Sequence, residues 1–173
     1  RPLSCYGVGK LAAERYLHVY GNKLPFVSMR MFNVYGPGQD LSNLRQGMVS
    51  IYLAQALAKS RIEVKGSVDR FRDFIFIDDV VEAWFRAAIL PSACGQTLNI
   101  GTGVKTTVRA LLELVCELVP GSSYFIQGAT PGDQNGIFAD ITNRKACLEL
   151  NSFTPLDIGM RKFVKWARRR STM

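Results

Sequence analysis

The sequence predicts an α/β layer fold with parallel strand pairing, and three observations carry that prediction. Helical and extended patterns alternate along nearly the whole chain. Several extended stretches, such as "QTLNIG", are short apolar runs that read as buried strands. A content of 47% hydrophobic and 21% charged residues in 173 positions is ordinary for a soluble globular protein of one domain, or a domain and a fraction.

Taken in order, "LAAERYLHVYG" is amphipathic and ends at Gly21, a helix-stopping residue. "PFVSMRMFNVYG" is an extended run starting after Pro25, and "MVSIYLAQALAK" is helical. "IEVKG" and "FRDFIFI" read as short strands. "DDVVEAWFRAAIL" opens with aspartates, which suit a helix N-terminus, and stops at Pro91. "QTLNIG" is a strand, "TTVRALLELVCELV" a helix opened by a threonine cap, and "SSYFIQG" another strand. The final stretch, "GMRKFVKWARRRSTM", is helical, with Met160, Phe163, Val164 and Ala167 forming an apolar stripe and the basic residues a solvated face. No internal repeat or low-complexity linker interrupts the series.

Composition removes several classes of chemistry. No apolar run is long enough to cross a bilayer, and residues 1–20 lack the apolar stretch of a secretory signal. Cys5, Cys94, Cys116 and Cys147 are far apart and mostly inside apolar patterns, so they are expected to be reduced core thiols rather than a zinc site or a disulfide framework. With His18 as the single histidine, a histidine metal site or a Ser-His-Asp triad has almost no material. The formal charge of +8 invites an anionic partner, but much of the excess lies in the last helix. Zinc-finger spacing, arginine–glycine repeats and aromatic strand motifs are all missing, so nucleic acid is not the expected partner.

Two local patterns carry chemistry. In "SCYGVGKLAAERYL", Tyr6 and Lys10 stand four positions apart on what reads as a helix, which puts their side chains on one face with Cβ atoms roughly 5–6 Å apart. A fixed cation beside a phenol favours the phenolate, which is the form that abstracts a proton. The same spacing occurs in many solvated helices, so the pair alone leaves both readings open. "GTGVKT", Gly101–Thr106, lies between a strand and a helix like the start of a glycine-rich dinucleotide loop. Its third glycine is replaced by Thr106 and no acidic strand end follows, which favours a tight turn.

The ordered set "YGVGK", "MRMFNVYGPGQ", "RFRDFIFIDDVVEA", "LNIGTG" and "TPGDQNGIFADITNRK" resembles the C-terminal half of the extended short-chain dehydrogenase/reductases. The specific likeness is to the NAD-dependent nucleotide-sugar epimerase/dehydratase group of the UDP-glucose 4-epimerase type, and it covers nearly the whole chain. The resemblance implies the C-terminal part of a doubly wound, Rossmann-like parallel sheet plus a smaller α/β substrate-binding domain. About residues 1–40 and 78–105 would then be the Rossmann-type strands and helices, and about 41–77 and 106–173 mainly the substrate-binding domain. Family members begin with a strand, a glycine-rich turn and several βα units, and carry a catalytic Ser or Thr upstream of the tyrosine. The chain starts at Arg1, where such an enzyme is about half finished, so a fragment or truncated frame lacking the NAD-binding half is expected.

Residue roles follow from the resemblance one position at a time. Tyr6 and Lys10 match the catalytic pair, Tyr6 taking the proton of the sugar 4-hydroxyl and Lys10 holding the nicotinamide ribose; both would touch NAD. Phe32 and Asn33 match residues that flank the nicotinamide and bind the substrate diphosphate, and Arg72 an arginine that contacts a phosphate. Asp133 matches an aspartate that holds the nucleotide ribose, and Ile137 falls where the family limits space around the sugar. Thr130 departs from the family, which places a second phosphate-binding arginine there. The expected activity of the intact enzyme is 4-epimerisation of a UDP-hexose through transient C4 oxidation, with a 4,6-dehydratase or a non-catalytic sugar-nucleotide-binding module as alternatives. A cytoplasmic enzyme of polysaccharide biosynthesis is implied, with no membrane partner. A sheet cut in mid-fold would expose a strand edge and apolar faces, so a homo-oligomer is expected.

Overall fold

The structure, a computed structural model, describes residues 2, 4–45, 47–128 and 135–171. In chain order its elements are helix α1 (Cys5–Tyr20), strands β1 (Ser28–Met31) and β2 (Asn33–Tyr35), helix α2 (Met48–Lys59), strands β3 (Arg61–Val64), β4 (Phe71–Arg72) and β5 (Phe74–Phe76), and helix α3 (Ile77–Ile89). A short turn of 3-10 helix at Pro91–Ala93 leads to β6 (Thr97–Ile100) and β7 (Thr106–Thr107), then α4 (Val108–Leu118), β8 (Ser123–Ile126), α5 (Thr142–Leu148) and α6 (Leu156–Ser171). β1 pairs with β6, β2 with β5 and β3 with β8, all parallel, while β4 and β7 pair antiparallel.

Local signals explain most boundaries. Ser4 caps α1 by accepting the Gly7 N–H, and Thr107 caps α4 by accepting that of Ala110, so each side chain satisfies a donor that the first helical turn leaves over. Asp78 and Asp79 lie in the first turn of α3, where a carboxylate meets the positive helix end. "GTGVKT" is a turn: Gly103 takes φ +79, a conformation suited to glycine, and the chain passes through it from β6 to β7.

Two buried clusters fill the layers. One joins α2, β3, β5, α4 and α6 through residues such as Leu53, Ile62, Phe76, Leu111 and Phe163. The other joins α3, β5, β6 and α5 through Ile75, Ala83, Leu98, Ile100 and Leu148. The stripe Met160, Phe163, Val164 and Ala167 of α6 is buried, as its spacing predicts.

One expectation holds in a finer form and one needs correction. The run "PFVSMRMFNVYG" is extended, but it divides at Phe32, because its first half pairs with β6 and its second with β5. The Phe32 N–H goes to the Ile100 carbonyl and the next one, of Asn33, to the Asp73 carbonyl, so the partner changes between adjacent residues. The cysteines are free but are not core residues, since Cys5 and Cys94 are exposed and Cys116 and Cys147 half-buried. Cys116 and Cys147 pack against the edges of the two clusters, whereas Cys5 lies on α1, which gives no side chain to either cluster, and Cys94 in the turn after Pro91–Ala93. No helix among the described residues is long and apolar enough to cross a membrane.

Candidate active site

Helix α1 presents Tyr6 and Lys10 on one face. The Lys10 ammonium lies 5.5 Å from the centre of the Tyr6 ring, and Tyr6 is 76% exposed. The helix is fixed to the sheet by polar contacts. Arg30 of β1 donates from Nε and Nη2 to the two carboxylate oxygens of Glu14, at 2.8 and 2.6 Å. This pair of hydrogen bonds holds the Glu14 carboxyl below the ordinary carboxylate range, against the opposing pull of burial. One turn on, the His18 Nε2 and Thr97 Oγ1 of β6 are hydrogen-bonded at 3.2 Å, with the His18 ring edge-on to Phe26.

Arg30 also lines a cavity of about 450 Å³, together with Met31, Phe32, Asn33, Asn99 and Ile137. The cavity sits at the carboxyl ends of β1 and β6, where the strand run changes partner. Open α/β sheets place ligands at such ends, because the strands diverge there and the following loops leave a crevice. Asn33 is fixed in this wall, since its backbone N–H and its side-chain Nδ2 both donate to the Asp73 carbonyl, at 3.1 and 3.0 Å. A second cavity of about 420 Å³ lies at the other end of β1, between Pro25–Val27 and the end of α3. Its lining is apolar, with Trp84, Ala87, Ile89 and Pro91, and carries the thiol of Cys94 but no charged side chain.

Arg72, on β4, is half-buried and donates from Nη1 to the Phe71 carbonyl at 2.8 Å. Burial foremost, and then the charge of Arg70, pulls its guanidinium below the ordinary arginine value.

The structure thus brings Phe32, Asn33 and Ile137 together around one cavity, and ties the helix of Tyr6 and Lys10 to it through Arg30. Tyr6 and Lys10 do not line that cavity, nor does Arg72, which lies on β4, paired with β7. Asp133 and Thr130 lie outside the described residues. Sequence reasoning missed Asp73 and Arg144, both fully buried. The signal was present, for "FRDFIFI" sets an acid inside an apolar strand, and a buried carboxylate must find several donors.

A model of the NAD dependent epimerase/dehydratase family matches residues 1–101. The chain is 41% identical over 112 residues to the UDP-glucose 4-epimerase of Mycolicibacterium smegmatis, a match covering 64% of this chain and 35% of that one. It is 31% identical over 170 residues to the dTDP-4-dehydro-6-deoxyglucose reductase of Escherichia coli, covering 96% of this chain and 53% of the relative. Among solved structures, the UDP-glucose 4-epimerase of Thermotoga maritima with UDP-glucose superposes with a TM-score of 0.92 at 29% identity, covering 99% of this chain and 55% of that one. The chain spans about half the length, or less, of these relatives. Its ordered motifs, its parallel α/β pairing and the family match over residues 1–101 agree: the chain belongs to the NAD dependent epimerase/dehydratase family.

Proposed function

We propose that this chain carries the proton-transferring pair and the sugar-nucleotide-binding part of an NAD-dependent nucleotide-sugar 4-epimerase of the UDP-hexose type. The observation that supports this most is the Lys10 ammonium set beside the exposed Tyr6 phenol on α1. A phenol beside a fixed cation, open on a helix face, suits the nicotinamide ribose and a sugar hydroxyl, so the residues fit NAD. Tyr6, Lys10 and Phe32 would hold NAD, which would supply reversible hydride acceptance at the sugar C4.

Tyr6 takes the proton of the 4-hydroxyl as the C4–O bond becomes a carbonyl, and gives it back when the carbonyl is reduced. Lys10 holds the ribose beside the Tyr6 ring. Phe32 flanks the nicotinamide, Asn33 and Arg72 meet the diphosphate, Asp133 the nucleotide ribose, and Ile137 bounds the sugar. Residues of 1–40 and 78–105 serve the cofactor side, and those of 41–77 and 106–173 mainly the substrate side. The reading extends to a cytoplasmic homo-oligomer serving polysaccharide assembly.

The match to a reductase over 96% of the chain favours a second reading within the family, in which the same pair completes a net reduction at C4. Product analysis separates the two. An epimerase interconverts UDP-glucose and UDP-galactose with no net change in NAD, whereas a reductase consumes the reduced cofactor. In the intact enzyme Tyr6→Phe should lower kcat by about 10²–10⁴-fold with little change in KM, because the hydroxyl acts in the transition state. Retention of kcat within threefold, as a rough bound, would remove Tyr6 from the chemistry. Residues 1–173 contain no complete glycine-rich dinucleotide loop, so by themselves they should bind NAD negligibly and give no turnover. Calorimetric NAD binding in the range of about 1–10 μM would contradict this.

A further inference from the structure

We propose that Asp73 and Arg144 form a buried clamp that fixes the end of β6 against β5 and the 137–141 segment, and thereby sets the width of the cavity between Asn33 and Ile137. Both side chains are fully buried. Asp73 uses each carboxylate oxygen twice. Oδ1 accepts the Thr102 N–H at 2.8 Å and the Thr102 hydroxyl at 2.6 Å. Oδ2 accepts the Gly103 N–H at 2.9 Å and the Ala139 N–H at 3.1 Å.

The carbonyl of the same residue holds Asn33, so one aspartate fixes three segments that meet at the cavity. Arg144 closes the fourth side by donating from Nη1 to the Gly101 carbonyl at 2.7 Å, while its guanidinium stacks 3.8 Å from the centre of the Phe153 ring. Gly101 is the point of closest approach: a Cβ there would come within 2.7 Å of both Asp73 Oδ2 and Ala139 Cβ. The segment so held carries Ile137, and Asn99 donates to its Asp140 carbonyl at 3.1 Å.

Burial pulls the Arg144 guanidinium down to about 10, and the carboxylates of Asp73 and Asp79 oppose that pull. Asp73 and Arg144 are positioning residues, acting on the sugar nucleotide only through the walls they hold, and this role rests on the proposed sugar-nucleotide reading of the cavity.

The test uses Asp73→Asn, which turns an amide NH₂ toward the Gly103 and Ala139 donors, and Arg144→Met against Arg144→Lys. Amide hydrogen exchange should show Thr102, Gly103, Ala139 and Asn33 losing protection together in Asp73→Asn, with global stability lowered less than these sites. In the intact enzyme the same variant should raise KM roughly tenfold with kcat within about threefold, and alter the preference between UDP-glucose and UDP-N-acetylglucosamine. Arg144→Lys should recover part of the KM that Arg144→Met loses.

Exchange that rises uniformly over the whole chain, or KM and sugar preference unchanged while the four amides are released, would overturn the clamp as a pocket-setting device. An intact wild-type protein with no turnover of nucleotide sugars would remove the proposed reaction instead, and leave the exchange pattern to decide the clamp.

Discussion

Helices α1 and α6 are each 16 residues long and are held in opposite ways. α6 buries Met160, Phe163, Val164 and Ala167 against the larger cluster, where Phe163 stacks on Trp166 and meets Tyr35. α1 buries one side chain, Glu14, and leaves Val8, Tyr16, Val19 and Tyr20 exposed. Apolar burial stabilises at about 1.5–3 kcal/mol for each fully buried large side chain and depends little on direction. A bidentate ion pair contributes less but fixes an angle. The helix that builds the core therefore uses area, and the helix that presents Tyr6 uses geometry.

The largest expected effect sharpens that contrast. Phe163→Ala should lower unfolding stability by about 3–5 kcal/mol, because the void lies in a packed cluster with no room to collapse. Val19→Ala, on the exposed face of α1, should change it by less than about 0.5 kcal/mol. Urea unfolding of both variants measures this. Similar losses from the two would mean that α1 is anchored by burial after all, and the distinction would fail.

How much of this was legible in the sequence follows the same division. The α6 stripe and the threonine cap of α4 are local patterns, and they act as their spacing predicts. Tyr6 and Lys10 are equally local, and their side chains do meet on one face. What the sequence did not carry is contact at long range. Asp73 meets Thr102, Gly103 and Ala139, between 29 and 66 positions away, and no periodicity encodes such a meeting. The break at Phe32 is hidden for the same reason, since an extended run looks alike whether it has one partner strand or two. The cysteines mislead because an apolar pattern marks a neighbourhood, and whether a small thiol is covered depends on what packs over it.

A smaller effect than the loss of Phe163 concerns the tether of α1. Arg30 is half exposed and Glu14 buried, at 52% and 9% side-chain exposure, so solvent screens the pair and its contribution should be about 1 kcal/mol. The sign of its pH dependence is fixed by the lowered Glu14 value. The folded state holds the carboxylate more tightly ionised than the unfolded chain does, so the stabilisation is present above the unfolded value of about 4.3 and fades as pH falls through the lowered folded one. Glu14→Gln keeps the size and removes the charge. Its stability deficit against the wild type should therefore be full at neutral pH and shrink in acid, with faster amide exchange confined to α1. A deficit that stayed constant or grew as pH fell would show that something other than the ionised pair holds the helix of Tyr6 to β1.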